Sequence, residues 1–221
     1  MTTVRHPAPY SKGLIPLFSE LLVGYSDVLD PFAGIGRIHE LEPFGYNTHG
    51  VELEPEWAAA HERTVVGNAL FLPWADNTFD AICTSPTYGN RMADHHDAKD
   101  GSERRTYKHD LGRDLHKANS GQMQWGPQYR DFHVGAWKEA RRVLIPGGRF
   151  VLNIKDHIRK GKRQYVAGWH VSTLSRLGFT LEFHIAVETP GMRKGANAQL
   201  RLPSEEVYVF ALTSKKGTFH E

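Results

Sequence analysis

The sequence holds a single cysteine, Cys83. No disulfide can form within the chain, and zinc sites built on several thiolates are excluded. Between Ile82 and Thr84 this cysteine reads as a small buried hydrophobe, as expected in a reducing cytosol. Long apolar runs are also missing. Nothing approaches the ~20 residues of a membrane span, and the polar, proline-containing stretch Met1 to Lys12 lacks the apolar run of a signal peptide. The expected location is the cytoplasm, with no membrane partner. Charge of one sign is scarce as well. A formal net charge of +2 rules out a polybasic protein, so a nucleic-acid partner would need a local basic face. No internal repeat or low-complexity segment is present.

What is present is ordinary globular material, 40% hydrophobic and 24% charged. The length fits one domain with an insertion better than two full domains, so residues 1–221 are read as one domain. Helical and strand patterns alternate, which predicts an α/β fold on a mostly parallel, doubly wound sheet. Strands are expected at Asp27 to Asp30, Asn47 to Glu52, Phe79 to Thr84 and Arg149 to Ile154. Phe179 to Val187 and Val207 to Leu212 form a late antiparallel pair. Helices are expected at Leu14 to Val23, Arg37 to Phe44, Glu56 to Arg63, Trp137 to Leu144 and His170 to Leu177. Met92 to Phe132 breaks the alternation. This segment is rich in charge and histidine and poor in aliphatics. A loop of such length inside a compact domain is often functional, so 92–132 is expected to face the substrate. The spacing of His95, His96, His109 and His116 matches no zinc pattern, and no metal is expected.

Asp30-Pro-Phe-Ala-Gly-Ile-Gly36 lies between a strand and a helix. Glycine there lets the chain turn tightly and a ligand approach the backbone. A helix N-terminus beyond supplies unpaired N–H groups. Glu52 sits at the end of the next strand, the spacing expected of an acid that binds ribose hydroxyls, with Glu54 as a nearby competitor. Asn68, in Gly67-Asn68-Ala69, is placed to meet an adenine amino group or to close its own turn.

This glycine turn resembles the first motif of class I S-adenosylmethionine-dependent methyltransferases, especially the DNA amino-methylating enzymes that act on cytosine N4 or adenine N6. The resemblance implies a Rossmann-like, seven-stranded mixed sheet and S-adenosyl-L-methionine as cofactor. It places Gly34 and Gly36 against the methionine moiety, Glu52 on the ribose and Asn68 on the adenine, with Asp30, Phe32 and Ala69 completing the donor site. His6-Pro-Ala-Pro-Tyr-Ser11 resembles the family segment that closes over the cofactor.

Thr84-Ser-Pro-Thr-Tyr-Gly-Asn-Arg91 follows a strand and resembles the family's catalytic tetrad, with Thr87 standing where a second proline is usual. The serine start most resembles the cytosine-N4 enzymes. The Tyr-Gly-x-Arg continuation is similar to some guanine-N2 RNA methyltransferases. The chemistry accounts for the residue types. An exocyclic base amine is a poor nucleophile because its lone pair is delocalised into the ring, and acceptors aimed at its hydrogens favour the transition state. Ser85 Oγ and the Pro86 carbonyl are the candidate acceptors, and Tyr88 is a stacking platform for an extruded base. Thr87, Asn90, Arg91 and Lys155 are expected against the substrate. The expected partner is nucleic acid, DNA ahead of RNA. The alternatives are an adenine-N6 or guanine-N2 enzyme, an inactive nucleic-acid-binding relative, and a small-molecule or protein methyltransferase. Lys155, Arg159, Lys160, Lys162 and Arg163 form a basic run suited either to phosphate contact or to a solvated loop.

Overall fold

The computed structural model describes residues 6–7, 10–11, 13–90, 106–189, 198–200 and 202–213. Its centre is a seven-stranded sheet. The strands are β1 (Asp27–Asp30), β2 (Asn47–Glu52), β3 (Thr64–Val66), β4 (Phe79–Thr84) and β5 (Leu144–Ile154), a separate hairpin of β6 (His157–Arg159) and β7 (Lys162–Gln164), then β8 (Phe179–Glu188) and β9 (Ser204–Leu212). The sheet order is β3-β2-β1-β4-β5-β9-β8. β1 to β5 run parallel, and β9 is antiparallel to both β5 and β8. The expected doubly wound, seven-stranded mixed sheet is therefore what forms.

Alternation along the strands builds two cores. Leu29, Ile82, Phe150, Leu152 and Phe210 face one layer with α4 (Pro127–Val143) and α5 (Val166–Arg176), where Trp137, Ala140 and Leu174 are buried against them. Val28, Ala81, Cys83, Val151 and Val209 face the other layer with α1 (Leu14–Leu21), which buries Leu14, Ile15 and Phe18. Successive strand residues point to opposite faces, so a sheet apolar on both faces needs cover on both. Among the described residues, no helix is long and apolar enough to cross a membrane.

Several boundaries differ from the sequence pattern. Arg37–Phe44 is a 3-10 helix, not an α-helix; Pro43 lies inside it and left-handed glycines, Gly36 and Gly45, flank it. The helix expected over Glu56 to Arg63 is the short α2 (Pro55–Ala58), followed by the unforeseen β3. β5 begins at Leu144, running through Pro146-Gly-Gly148 with an irregular register against β4. α4 begins at Pro127, so 127–132, counted within the insertion, belong to a regular helix. Residues 92–105 lie outside the described residues. The described remainder, 106–126, holds α3 (Tyr107–Leu111) and a 3-10 turn at Ser120–Gln122.

The described insertion is tied back to α2. The buried Glu54 carboxylate accepts from His116 N and Asn119 Nδ2, both at 2.8 Å, and pairs with Arg113 at 2.8 Å. This separates the two acids at the β2 tip. Glu54 is engaged by the insertion, while Glu52 turns to the cavity described next.

Candidate active site

Strand order reverses between β1 and β4, and ligands of open α/β sheets bind beyond the C-terminal strand ends at such a switch point. A cavity of about 300 Å³ opens there, a size suited to a small cofactor. Phe32 and Gly34 from the β1 loop, Glu52 from β2, and Asn68 and Ala69 after β3 line one end. Ser85, Pro86, Thr87, Tyr88 and Asn90 from the β4 loop line the other. Segments remote in sequence thus meet in one space.

Asp30 does not line the cavity. Its carboxylate is fully buried beneath it and accepts from Phe32 N at 2.9 Å, Thr84 Oγ1 at 2.6 Å and the Tyr10 hydroxyl. It thereby joins the β1 loop, the end of β4 and the N-terminal segment. Burial pushes its pKa up to about 6, against the pull of these donors. Gly36 also stays outside the lining. At φ +77° it takes the left-handed conformation that favours glycine, and an added Cβ would stand 2.8 Å from His39 Cδ2 and 3.0 Å from His61 Cβ. Its close neighbours are these histidines. His39 itself is held between Thr48 Oγ1 and Thr64 Oγ1, both at 2.8 Å, and stacks on His61 with ring centroids 3.8 Å apart. His39, Glu42 and His61 lie close enough to invite a metal reading, but both ring nitrogens of His39 are already engaged by the two threonine hydroxyls.

Glu52 accepts from Gly34 N and Glu54 N, both at 2.9 Å. Two backbone donors leave lone pairs on the carboxylate for hydroxyl groups. Burial raises its pKa to about 7, opposed by those N–H groups. The Asn68 side-chain oxygen accepts from Leu70 N at 2.9 Å, closing its own turn, while the residue still lines the cavity.

In the loop after β4, Ser85 Oγ lies 3.2 Å from Tyr88 Oη and accepts from Asn153 Nδ2 at 3.1 Å. Asn153 Nδ2 also reaches Glu205 Oε2 at 3.0 Å. Burial first, and the Glu205 charge second, push the Tyr88 phenol above its usual range, so it stays protonated. The Thr87 hydroxyl donates to Ser120 Oγ at 2.9 Å, and its carbonyl accepts from Tyr129 Oη at 2.6 Å. Behind Tyr129 runs a chain whose directions are settled by chemistry. Trp137 Nε1 can only donate, so His170 Nδ1, 2.9 Å away, accepts. Burial lowers the His170 pKa well below its ordinary value. The ring is therefore neutral and carries its proton on Nε2, which donates to Tyr129 Oη at 2.9 Å. The Tyr129 proton is left for the Thr87 carbonyl.

Lys155 stands outside the lining and donates from Nζ to Thr189 Oγ1 at 2.8 Å. Arg91 lies outside the described residues. The sequence pattern did not single out Trp57, Tyr107, Asn119, Ser120, Asn153 and Glu205, all of which line the cavity. Asn153 did carry a signal, as a lone amide in the apolar run Phe150-Val-Leu-Asn-Ile154 at the ligand-binding end of its strand. Tyr10 and His6 also reach the cavity.

Comparison with known proteins narrows this chemistry. The profile of a family described as DNA methylase matches residues 79–221, beginning at β4 and taking in the Ser85–Tyr88 loop. No curated protein matches significantly. The chain is similar in structure to the N-methyltransferase NodS from Bradyrhizobium japonicum WM9 in complex with S-adenosyl-L-homocysteine, with TM-score 0.57 and 12% identity, covering 93% of this chain and 89% of that one. It is similar to the 1,6-didemethyltoxoflavin-N1-methyltransferase of Burkholderia thailandensis, with TM-score 0.54 and 18% identity over 92% and 80% of the two chains. A TehB-like SAM-dependent methyltransferase from Corynebacterium glutamicum ATCC 13032 Kitasato gives TM-score 0.52 and 21% identity over 92% and 88%. At such identities the likeness speaks for the fold, and function has to be argued from the site.

Proposed function

Because the chain belongs to the DNA methylase family, class I methyltransferases whose donor is S-adenosylmethionine, we propose that it methylates an exocyclic amine of a nucleic-acid base. DNA cytosine N4 comes first, with adenine N6 of DNA and guanine N2 of RNA as the other acceptors. The observation that carries this reading is the joining of the Gly34–Glu52 end and the Ser85–Tyr88 end in one cavity. When bound, the donor supplies an electrophilic methyl group on a sulfonium. The residues at the first end fit it. Glu52 offers lone pairs to ribose hydroxyls, and the left-handed Gly34 keeps the turn free of a side chain.

At the other end, Ser85 Oγ and the Pro86 carbonyl accept from the amine hydrogens and keep the nitrogen lone pair directed at the methyl group. Tyr88, a protonated phenol, offers its ring face to an extruded base. Such stacking is worth about 1–3 kcal/mol per base. Tyr107, Asn119 and Ser120 bring the insertion to the same cavity, which supports a substrate-side role for residues 106–126. The basic hairpin β6–β7 supports a nucleic-acid partner over a small molecule. The deciding experiment is mass spectrometry of nucleosides from DNA and RNA incubated with the protein and S-adenosylmethionine. N4-methylcytosine in DNA is expected. Methylation of neither nucleic acid, with a small molecule as acceptor, would refute the proposal.

A further inference from the structure

Ser85 occupies the tetrad position where the amine should meet its strongest acceptor, yet a hydroxyl is a weaker acceptor than a carboxylate. It is also partly occupied, since Asn153 Nδ2 already donates to it at 3.1 Å. Neither Ser85 Oγ nor the Pro86 carbonyl can hold a full proton at neutral pH. The reaction nevertheless releases one, because a methylated amine is cationic until it loses a hydrogen. Among the described residues lining the cavity, two carry carboxylates, Glu52 and Glu205. Glu52 is held at the glycine-turn end by Gly34 N and Glu54 N. Glu205, on β9, is joined through the Asn153 amide nitrogen to both Ser85 Oγ and Tyr88 Oη, at 3.0 Å from that nitrogen itself. The Asn153 side-chain oxygen Oδ1 is buried and has no hydrogen-bond partner among the described residues, so this corner presents acceptors suited to a donor-bearing ligand.

We propose that Glu205 is a catalytic residue that accepts the amine proton during methyl transfer, with Asn153 as the positioning residue that holds it beside Ser85. The inference rests on the base-amine reading above. The nitrogen lone pair forms the new N–C bond. The methyl–sulfur bond breaks and its electron pair returns to sulfur. The proton left on nitrogen passes to the Glu205 carboxylate and then to solvent. Gln at this position keeps an oxygen that can accept a hydrogen bond but cannot take the proton, which separates catalysis from binding.

The test uses the full chain and an oligonucleotide that the parent methylates. With donor absent, fluorescence anisotropy should show Glu205→Gln binding that oligonucleotide within about threefold of the parent, and donor affinity by calorimetry should be equally preserved. Turnover should fall by roughly 10²–10⁴, the range for loss of a general base. Glu205→Asp should recover most of it, and formate should restore Glu205→Ala in a saturable way. Gln turnover within about threefold of the parent overturns the inference, as does equal slowness of all three variants with no response to formate. A parent that binds the donor but methylates no nucleobase overturns the base reading and this inference together. A methylating parent with an active Gln variant overturns this inference alone.

Discussion

Thr87 stands where a second proline would stiffen the loop after β4, and the hydrogen bonds around it are suited to that task. Proline fixes φ by covalent closure. Here Tyr129 Oη holds the Thr87 carbonyl at 2.6 Å and Ser120 holds its hydroxyl at 2.9 Å. Tyr129→Phe keeps the ring and deletes one oxygen. Two groups then lose a partner, the part-buried Thr87 carbonyl and the Nε2–H of the fully buried His170. The unsatisfied buried N–H costs about 1–3 kcal/mol and the lost bond to the part-buried carbonyl about 0.5–1.5 kcal/mol, so a loss of roughly 2–4 kcal/mol of stability is expected. For a chain of this length a kilocalorie shifts Tm by about 2–4 °C, which puts the variant roughly 5–15 °C below the parent in thermal unfolding. Turnover should fall while donor affinity holds, because the Gly34–Glu52 end, proposed above to take the donor, is untouched. The discriminating variant is Thr87→Pro placed on Tyr129→Phe. Among the described residues nothing accepts from the Thr87 N–H, so proline gives up no such bond there and reduces unfolded-state freedom by about 0.4–1 kcal/mol. Turnover of the double variant should rise above that of Tyr129→Phe. A double variant no faster than the single one, or a single variant with unchanged Tm and turnover, refutes the idea that hydrogen bonds replace the proline.

Glu52 gives a pH prediction. Its pKa is raised to about 7 in the fold from an ordinary 4.5, so the folded chain binds the proton more tightly than the unfolded chain. Its contribution to stability is fully present below 4.5 and is lost as pH rises through about 7. Ribose hydroxyls favour the ionised form, so donor affinity should rise between roughly pH 5 and 7 with proton release on binding. Calorimetry in buffers of different ionisation enthalpy should show this, and Glu52→Gln should abolish it; a pH-flat parent rules the role out. Gly36→Ala strains a left-handed residue by roughly 1–2 kcal/mol and presses on His39. Its Tm should fall, with donor affinity following only through the loop; donor affinity abolished at unchanged Tm would show that Gly36 touches the ligand directly. Neutralising Arg159, Lys160 and Lys162, exposed at the β6–β7 hairpin, should weaken nucleic-acid binding and flatten its salt slope by about 0.9 for each phosphate no longer neutralised. An unchanged slope makes the hairpin a solvated loop.

The strands at Asp27–Asp30, Asn47–Glu52 and Phe79–Thr84 were legible because short apolar runs are bounded by turn residues, and their observed bounds are the expected ones. β3 was not, since Thr64–Val66 is three residues long with Val66 59% exposed, too short and too wet to leave a periodic pattern. The first half of α4 was hidden differently. Its buried stripe is Tyr129, His133 and Ala136, correct in helical spacing but interrupted at its centre by a histidine, which a hydropathy pattern does not count as core. The histidine is tolerated there only because Nδ1 donates to the Tyr129 carbonyl at 2.8 Å and burial lowers its pKa to about 3, which keeps it neutral.

The site divides along the same line. Groups that act through a contiguous stretch, the Gly34 turn and the Ser85–Tyr88 loop, could be read because local backbone geometry demands particular residues in a particular order. Groups that act through pairing of distant strands left no such trace. Asn153 and Glu205 share a corner because β9 returns antiparallel beside β5, with Asn153 opposite Val207 and Ile154 opposite Glu206. A shift of one residue in that register would turn Glu205 to the other face of the sheet. The register is held by Val207, Val209 and Phe210, fully buried on β9, none of which lines the cavity. The chemistry proposed for Glu205 therefore depends on hydrophobic packing at a distance. Overpacking at Val209, by Val209→Phe, should lower turnover in proportion to the disturbed register and leave the Gly34–Glu52 end able to bind the donor.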